Sequence, residues 1–442
     1  MRIEATPASE AAQLALAIYS DILDAVNADT LTSAFISVNS NRLRLGDQLL
    51  DLGKYSRIIV VGAGKASGGM AAAVDRALGD RISTGVVVTK HGHGTYAGRI
   101  RIMEAGHPTP DEASVTAGEA IFEAAQSAAE GDLLLCLLSG GASSLMELPR
   151  PPATLDDLRA TTNLLLRAGA PIQDLNAVRA CLSLLKAGGL ARAAAPAKVV
   201  CLVLSDVLGN PLEVIGSGPC VGVPPDPARA RAVLDRYGLS ALVPPSVREL
   251  VGELPLTQLE SAPVAHYILG DIHTALNAAR ESAARHGLRP LILTGWLEGE
   301  AREVGRVVGA LARDLPSTAQ QFGADCLILG GETTVTVRGG GLGGRSQEIA
   351  CAALESLTET TSVAILAGST DGTDGPTDAA GALAEQAVYK RARDLELDTR
   401  SALRENNTLP FLQASGGLIK TGPTHSNVGD VVLIVMREAK AL

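Results

Sequence analysis

The chain repeats one pattern, a short and continuous apolar run that ends in a turn of glycine, serine or aspartate. Four such runs lie in its first half, at residues 57–61, 85–89, 132–138 and 198–204. Continuous apolar runs are typical of strands that helices cover on both faces. Only 2% of the chain is aromatic against 46% hydrophobic, so Ala, Val, Leu and Ile must fill its cores. The pattern predicts an α/β protein with ligands at the carboxyl ends of its strands.

The first of these turns reads Gly62-Ala-Gly-Lys-Ala-Ser-Gly-Gly-Met70 and leads into an alanine-rich helix. A strand, a glycine-rich turn and a helix form the unit that cradles phosphate groups with backbone N–H donors. Gly64 would allow close approach, and Lys65 would add a positive charge. The spacing matches neither the dinucleotide fingerprint nor a Walker A loop. A solvated surface lysine is the alternative interpretation of Lys65.

The third run ends in a second small-residue turn, Ser139-Gly140-Gly141. This is not the nucleophile elbow of hydrolases, because the serine precedes both glycines. The fourth run ends at Ser205-Asp206, where an α/β sheet would deliver a catalytic or metal-binding carboxylate. A helix cap is the alternative role for Asp206. Both turns are expected at the ligand-binding edge of the sheet.

After a proline-rich break the chain is predicted to be helical from Thr154 to about Arg192. Four polar residues within it would share one face, because Asn176 and Ser183 are seven positions apart and so are Arg179 and Lys186. Two cations and two hydrogen-bonding groups on an otherwise apolar helix are suited to an anion cleft. A solvated stripe is the alternative.

A second domain is indicated by a proline-rich stretch at 243–263, beyond which the strand and helix pattern restarts. We therefore predict one domain at residues 1–245 and another at 246–442. The second contains Leu329–Glu348, in which five glycines precede Arg345 and the start of a helix, and Glu332 follows a glycine pair. Glycine N–H groups, the helix N-terminus and a forked guanidinium predict an anion site, and a flexible hairpin loop is the alternative.

Two further polar turns follow in the second domain. A glycine-rich loop carries Asp371, Asp374 and Asp378, whose hard oxygens are suited to Mg²⁺, although the spacing is not that of an EF-hand. The last turn, Lys420-Thr421-Gly-Pro, precedes the final strand.

The bulk composition excludes several classes of protein. The net charge of −10 and the absence of a basic patch with aromatics argue against a nucleic-acid partner. No apolar run reaches the ~18 residues that a membrane helix needs. Six cysteines show no paired or zinc-type spacing, and those inside apolar runs should behave as small hydrophobes. We therefore expect a cytoplasmic protein.

Taken together in order, these stretches resemble the glycerate 2-kinase family, whose C-terminal half is called the MOFRL domain. The matching segments span nearly the whole chain: Val60–Met70, Leu138–Leu145, Asn176–Ala191, Leu204–Pro219, Leu329–Glu348, Ala367–Ala382 and Thr421–Val428. The resemblance implies an α/β fold, with a Rossmann-like N-terminal domain facing an α/β MOFRL domain across a cleft. It also implies phosphorylation of D-glycerate at its 2-hydroxyl by ATP and Mg²⁺, giving 2-phosphoglycerate and ADP.

The same resemblance places the family's key lysine at Lys65 and its key arginine at Arg345, one in each domain, where we expect them to brace the transferring phosphoryl group. Candidates for binding Mg²⁺ or for orienting the glycerate hydroxyl are Asp206, Glu332 and Asp371. Residues expected to bind the substrate or its phosphates are Gly64, Ser139, Gly140, Gly141, Asn176, Arg179, Lys186, Gly343, Gly344 and Thr421.

Two other functions stay open from the sequence. The chain could be an NAD(P)H-dependent hydroxypyruvate reductase, although the segment 81–86 lacks the acidic residue that would bind a ribose. It could also be a non-catalytic sensor of sugar acids. The expected partners are D-glycerate and a nucleotide, with no nucleic acid and no membrane, and a homodimer is left open as the assembly.

Overall fold

The computed structural model describes residues 3–222, 224–252, 263–359 and 362–437. Its internal contacts divide the chain into two compact units. The central unit is Ala28–Leu269, and the terminal unit combines Met1–Asn27 with Gly270–Leu442. None of the helices in the described residues is long and apolar enough to cross a membrane.

Up to residue 270, the helices are α1 (Glu10–Ala25), α2 (Ala28–Phe35), α3 (Ser67–Leu78), α4 (Glu112–Gln126), α5 (Ala142–Leu145), α6 (Leu155–Arg167), α7 (Ile172–Cys181), α8 (Gly189–Ala193), α9 (Pro227–Arg236) and α10 (Pro245–Gly252). The strands of this part are β1 (Ile36–Asn39), β2 (Arg42–Leu45), β3 (Gln48–Asp51), β4 (Ile58–Ala63), β5 (Ile82–Lys90), β6 (Arg101–Ala105), β7 (Leu133–Leu138), β8 (Lys198–Leu204) and β9 (Val264–Gly270).

Beyond residue 270, the helices are α11 (Ile272–Arg285), α12 (Ala301–Phe322), α13 (Arg345–Ala353), α14 (Gln386–Asp394), α15 (Thr399–Arg404) and α16 (Thr408–Ser415). The strands are β10 (Pro290–Leu297), β11 (Cys326–Gly331), β12 (Val363–Ser369), β13 (Gly381–Ala384), β14 (Leu418–Ile419) and β15 (Asp430–Met436).

The central unit is built on a six-stranded sheet in the order β6-β5-β4-β7-β8-β9. The pairs from β6 to β8 are all parallel. Numbered along the chain, this is the order 3-2-1-4-5-6 of a doubly wound sheet, which reverses direction between β4 and β7. Alternate residues of β7 face two separate apolar cores, Cys136 on one side and Leu135 on the other. The predicted α/β architecture with buried strands is confirmed.

The terminal unit has a mixed six-stranded sheet in the order β10-β11-β15-β12-β13-β14. Only β10 and β11 pair in parallel, and the other neighbours are antiparallel. The apolar strand runs of the second half therefore form a mixed sheet, unlike the parallel pairing of the first, although β11, β12 and β15 are as deeply buried as β4 and β7.

The N-terminal helix α1 belongs to this terminal unit. The Tyr19 hydroxyl donates to the carbonyl of Ser369 at 2.5 Å, and the backbone amides of Ala8 and Ser9 donate to the carboxylate of Glu385 at 2.8 and 2.9 Å. The two units thus differ from the predicted domains at residues 1–245 and 246–442. Strand β9 completes the central sheet, while α1 is fastened to residues more than 300 positions away.

Candidate functional site

Two loops meet where the central sheet reverses direction, one after β4 and one after β7. Gly64 has a positive φ of 139°, and a Cβ atom there would collide with the Ser139 hydroxyl. That hydroxyl accepts a hydrogen bond from the backbone N–H of Ala66 at 3.0 Å, and the N–H of Lys65 donates to the Gly140 carbonyl at 2.9 Å. The contacts lock the loops together. Ser139 is fully buried, and its hydroxyl positions the two loops. Its contact with a ligand stays a prediction.

Lys65 and His107 converge on Gly141. Gly141 has a φ of 84°, and a Cβ built on it would lie 2.9 Å from His107 Cδ2 and 3.4 Å from Lys65 Cγ. Both side chains are half-buried. The sequence left two interpretations of His107 open, the rim of a cleft or a plain turn. Its position after β6, at the carboxyl edge of the sheet, favours the first.

A cavity of ≈ 330 Å³ opens beside this point, which lies within the size range of small-ligand pockets. Its lining includes His107, Gly141, Ser143, Arg159 and Arg179. The Arg179 guanidinium donates to the Ser143 carbonyl at 3.1 Å, and its own side chain is only 15% exposed. A half-enclosed guanidinium on the cavity wall is suited to a small carboxylate.

The predicted continuous helix from Thr154 to Arg192 is wrong. The chain leaves the helical conformation between α6 and α7 and again between α7 and α8, where Ala187 and Gly188 have φ values of 48° and 76°. Asn176 and Arg179 lie on α7, whereas Ser183 and Lys186 lie in the irregular segment after it. The four residues therefore do not form one helix face.

Lys186 is buried in the protein interior. Its ammonium lies 2.5 Å from the carboxylate of Glu147, and each side chain is 1% exposed. Arg179 lies 3.8 Å from the same carboxylate. Burial lowers the pKa of Lys186 to about 8, against the opposing effect of Glu147. The sequence analysis did not identify Glu147. Its carboxylate forms ion pairs with both predicted cations, Arg179 and Lys186. Lys186 therefore acts here as an internal counter-ion.

Asn176 lines a second cavity of ≈ 600 Å³, together with Glu213, Ser217 and Arg229. The Ser217 hydroxyl donates to the Asn176 side-chain carbonyl at 3.2 Å and lies 2.7 Å from the hydroxyl of Ser143. A chain of hydrogen bonds thus joins the walls of the two cavities. Asp206 lies two residues beyond the end of β8 and is half-buried.

In the terminal unit, Arg345 is the first residue of α13 and is clamped by two acids. Two nitrogens of its guanidinium donate to the Asp430 carboxylate, and the third, Nη1, donates to the Glu332 carboxylate at 2.7 Å. Burial alone would lower the pKa of Arg345, but Asp430 and Glu332 outweigh it and raise the pKa. Glu332, predicted as a candidate for binding Mg²⁺ or orienting the substrate hydroxyl, thus forms an ion pair with Arg345.

The N-terminus of α13 is occupied by a carboxylate of the protein itself. Asp374 accepts hydrogen bonds from the N–H groups of Ser346 and Gln347 at 3.1 and 2.8 Å. A Cβ atom on Gly344 would collide with this carboxylate, and one on Gly343 would collide with the Thr408 hydroxyl. A protein carboxylate therefore engages these helix amides, and both glycines pack closely against protein groups. Binding of a phosphate or substrate by Gly343 and Gly344 stays a prediction.

Three carboxylates, those of Asp430, Glu332 and Asp374, act on the guanidinium of Arg345 through their charges. Burial, and then the charge of Asp430, raises the pKa of Asp374 to about 7. The pKa of Asp430 is also raised, first by burial and further by Glu332 and Asp371. Asp371 itself accepts from the Ser369 hydroxyl and the Thr373 N–H, both at 2.8 Å.

The Thr421 turn packs on the loop of Asp371. The Thr421 hydroxyl donates to the Gly422 carbonyl at 2.8 Å, and a Cβ on Gly372 would meet that hydroxyl at 2.9 Å. Among the described residues, no three carboxylate or imidazole groups bring their ligand atoms within 4.8 Å of one another. Metal binding by Asp206, Glu332 or Asp371 thus stays a prediction.

The family model described as a domain of unknown function, DUF4147, matches residues 14–252, and the MOFRL family model matches residues 325–430. A protein of Agrobacterium vitis that carries a provisional hydroxypyruvate reductase name is 44% identical over 389 residues, covering 86% of this chain and 87% of that protein. A glycerate 2-kinase of Pyrococcus horikoshii is 39% identical over 388 residues, with coverage of 86% and 87%.

Solved structures agree with these sequence matches. The crystal structure of a glycerate kinase from Thermotoga maritima aligns with a TM-score of 0.82 at 36% identity, covering 96% of this chain and 99% of that one. The relatives are thus more than 30% identical over most of both chains, and the solved structure has the same fold as this chain. The chain therefore belongs to the glycerate kinase family.

Proposed function

We propose that this chain is a glycerate 2-kinase, which transfers the γ-phosphoryl group of ATP to the 2-hydroxyl of D-glycerate and yields 2-phosphoglycerate and ADP. The observation that carries the proposal is the 39% identity to a named glycerate 2-kinase over most of both chains. The pair of locked loops at the sheet reversal, with Lys65 at their centre, supports it because ligands of doubly wound sheets bind there.

Phosphoryl transfer needs positioning and charge neutralisation more than covalent help from the protein. We assign neutralisation of the phosphate charge to Lys65 and Arg345. Arg179, on the wall of the smaller cavity, would bind the carboxylate of glycerate through its fork of N–H donors. His107, next to Lys65 at Gly141, would contact the substrate, and Asp206 would orient its 2-hydroxyl.

Mg²⁺ is proposed as the metal, and the donor set of the terminal unit fits it. The carboxylates around Arg345 are hard oxygen ligands of the kind Mg²⁺ prefers, and they exceed the single guanidinium in charge. Glu332 and Asp371 would hold the ion. When bound, it would neutralise negative charge on the phosphates.

The activity can be tested by incubating the purified chain with D-glycerate and MgATP while following ADP. A parallel reaction contains NADH and hydroxypyruvate without ATP. Glycerate-dependent ADP release that is abolished by EDTA supports the kinase. Oxidation of NADH without ADP release would instead support the reductase whose name one relative carries. Phosphorus NMR of the product distinguishes the 2-phosphate from the 3-phosphate.

We propose a reducing, cytoplasmic setting for the enzyme, which is supported by the six buried cysteines of the described residues, none of which forms a disulfide. A homodimer is the assembly we propose to test, by sedimentation velocity at several protein concentrations.

A further inference from the structure

Three cysteines that the sequence treats as unrelated meet in one core of the central unit. Cys136 on β7 and Cys201 on β8 are register partners in the parallel sheet, so both side chains point to the same face. Cys220 comes from the loop that follows the short 3₁₀ turn Ile215–Ser217. The three sulfur atoms all lie within 4.8 Å of one another. At most 2% of any of these residues is exposed.

A fourth ligand type lies at the same place. His266 is on β9, the strand next to β8. Its Nε2 atom is buried and has no hydrogen-bond partner among the described residues, which is uncommon for a buried polar atom. The backbone N–H of Val199 on β8 donates to the carbonyl of Pro263, the residue before β9, at 3.1 Å. This pairing brings Cys201 and His266 to neighbouring positions on adjacent strands.

We propose that Cys136, Cys201 and Cys220, with His266 as the fourth ligand, form a binding site for Zn²⁺ in the core of the central unit. Tetrahedral zinc with Zn–S bonds of about 2.3 Å requires sulfurs about 3.8 Å apart. The observed separations, within 4.8 Å, need to contract by at most about 1 Å. Hard cations such as Mg²⁺ do not favour this donor set.

The protons and charges of Zn²⁺ binding at this site can be accounted for. Three thiols lose their protons to solvent, and the thiolates with a neutral imidazole give the zinc centre a net charge of −1. A buried orphan nitrogen gains a partner at the same time. The ordinary hydrophobic role of buried cysteine accounts for the three thiols but not for the unsatisfied imidazole beside them.

The site would tie together the elements below the candidate active site. Cys136 lies three residues before Ser139, and Cys220 lies three residues after Ser217. The Ser217 hydroxyl is the group that joins the walls of the two cavities. The inference does not depend on the proposed kinase function, because its test measures metal rather than turnover.

The experiment uses the full chain, unfolded in guanidinium with a reductant and refolded with and without Zn²⁺. After gel filtration, the wild type should retain about one zinc per chain. Refolding with Cd²⁺ should give the ultraviolet charge-transfer band of thiolate ligation. Cys220→Ala should lose at least 10-fold in zinc affinity. Cys326→Ala is the matched control, a buried strand cysteine of the terminal unit, and should retain the ion.

Circular dichroism shows whether each variant has refolded. If Cys220→Ala does not fold, the wild-type cadmium spectrum alone decides. The proposal is overturned if the wild type keeps less than about a tenth of an equivalent of zinc, if cadmium gives no thiolate band, or if Cys326→Ala loses the metal to the same extent as Cys220→Ala. His266→Ala should weaken binding while retaining the thiolate band, and unchanged affinity would refute the fourth ligand.

Discussion

The ion pair between Glu147 and Lys186 allows a quantitative test of the electrostatics in the central unit. The two charges are 2.5 Å apart and each side chain is 1% exposed, so neither can be solvated if its partner is removed. Replacing one partner of such a pair typically costs 3–5 kcal/mol, because it leaves a buried charge uncompensated. We expect Glu147→Gln to lower the free energy of unfolding by about this amount at pH 7.

The pH dependence has a defined sign. In the folded chain the pKa of Lys186 drops from 10.5 to about 8, a change that corresponds to about 3 kcal/mol. Between these two pH values the unfolded chain binds the proton more tightly than the folded chain, so stability rises with pH across the window. In Glu147→Gln the pKa of Lys186 falls further, and the rise should begin at lower pH.

A double-mutant cycle separates the pair from its surroundings. Lys186→Met should be milder than Glu147→Gln, because Arg179 remains 3.8 Å from the carboxylate. The double variant should lose about 2 kcal/mol less than the sum of the two single losses. Urea unfolding followed by circular dichroism at pH 7 and pH 9 measures all four proteins.

The matched control is the exposed pair of Glu303 and Arg306, whose side chains are 58% and 63% exposed. Glu303→Gln should change stability by less than about 0.5 kcal/mol, because solvent screens the pair. Strict additivity in the buried cycle, or a loss in Glu147→Gln no larger than in this control, would refute the reasoning.

Three further predictions follow from the two units. Lys65→Ala and Arg345→Ala should each lower kcat at least ~100-fold in the ADP assay, and near-normal turnover with unchanged circular dichroism would remove the residue from the mechanism. Gly64→Ala should destabilise by more than ~1 kcal/mol because its Cβ would collide with a buried serine hydroxyl, whereas Gly340→Ala, with open space around it, should not. Asp374→Asn should flatten the fall in stability between about pH 4 and pH 7, since a folded pKa raised to about 7 makes ionisation destabilising over that range, and an unchanged urea midpoint profile would contradict this.

Much of the local structure could be predicted, because strand runs and glycine turns are signals within a few residues of each other. The buried strands β4, β7 and β8 and the start of α13 at Arg345 agree with the sequence pattern. The predicted helix through Lys186 failed because periodic spacing does not report the positive φ values of Ala187 and Gly188.

The partners of individual side chains were harder to predict from the sequence. Asp374 occupies the amides of α13 from 28 residues away, and Glu147 neutralises Lys186 from 39 residues away. Neither acid lies in a sequence motif from which its partner could be predicted. The sequence therefore identified residue types suited to anions. It did not show that protein carboxylates, Asp374 beside Gly344 and Glu147 beside Lys186, interact with these positions.

The sequence by itself determined the family, the buried strands and the positions of the polar turns that end them, since each depends on the order of residues along a short stretch. The tertiary structure decided which turns lie together, which cations face the interior, and that Cys136, Cys201 and Cys220 share one place in the core. The physical reason is that strand order and register bring together residues tens to hundreds of positions apart, and local patterns carry no information about such distances.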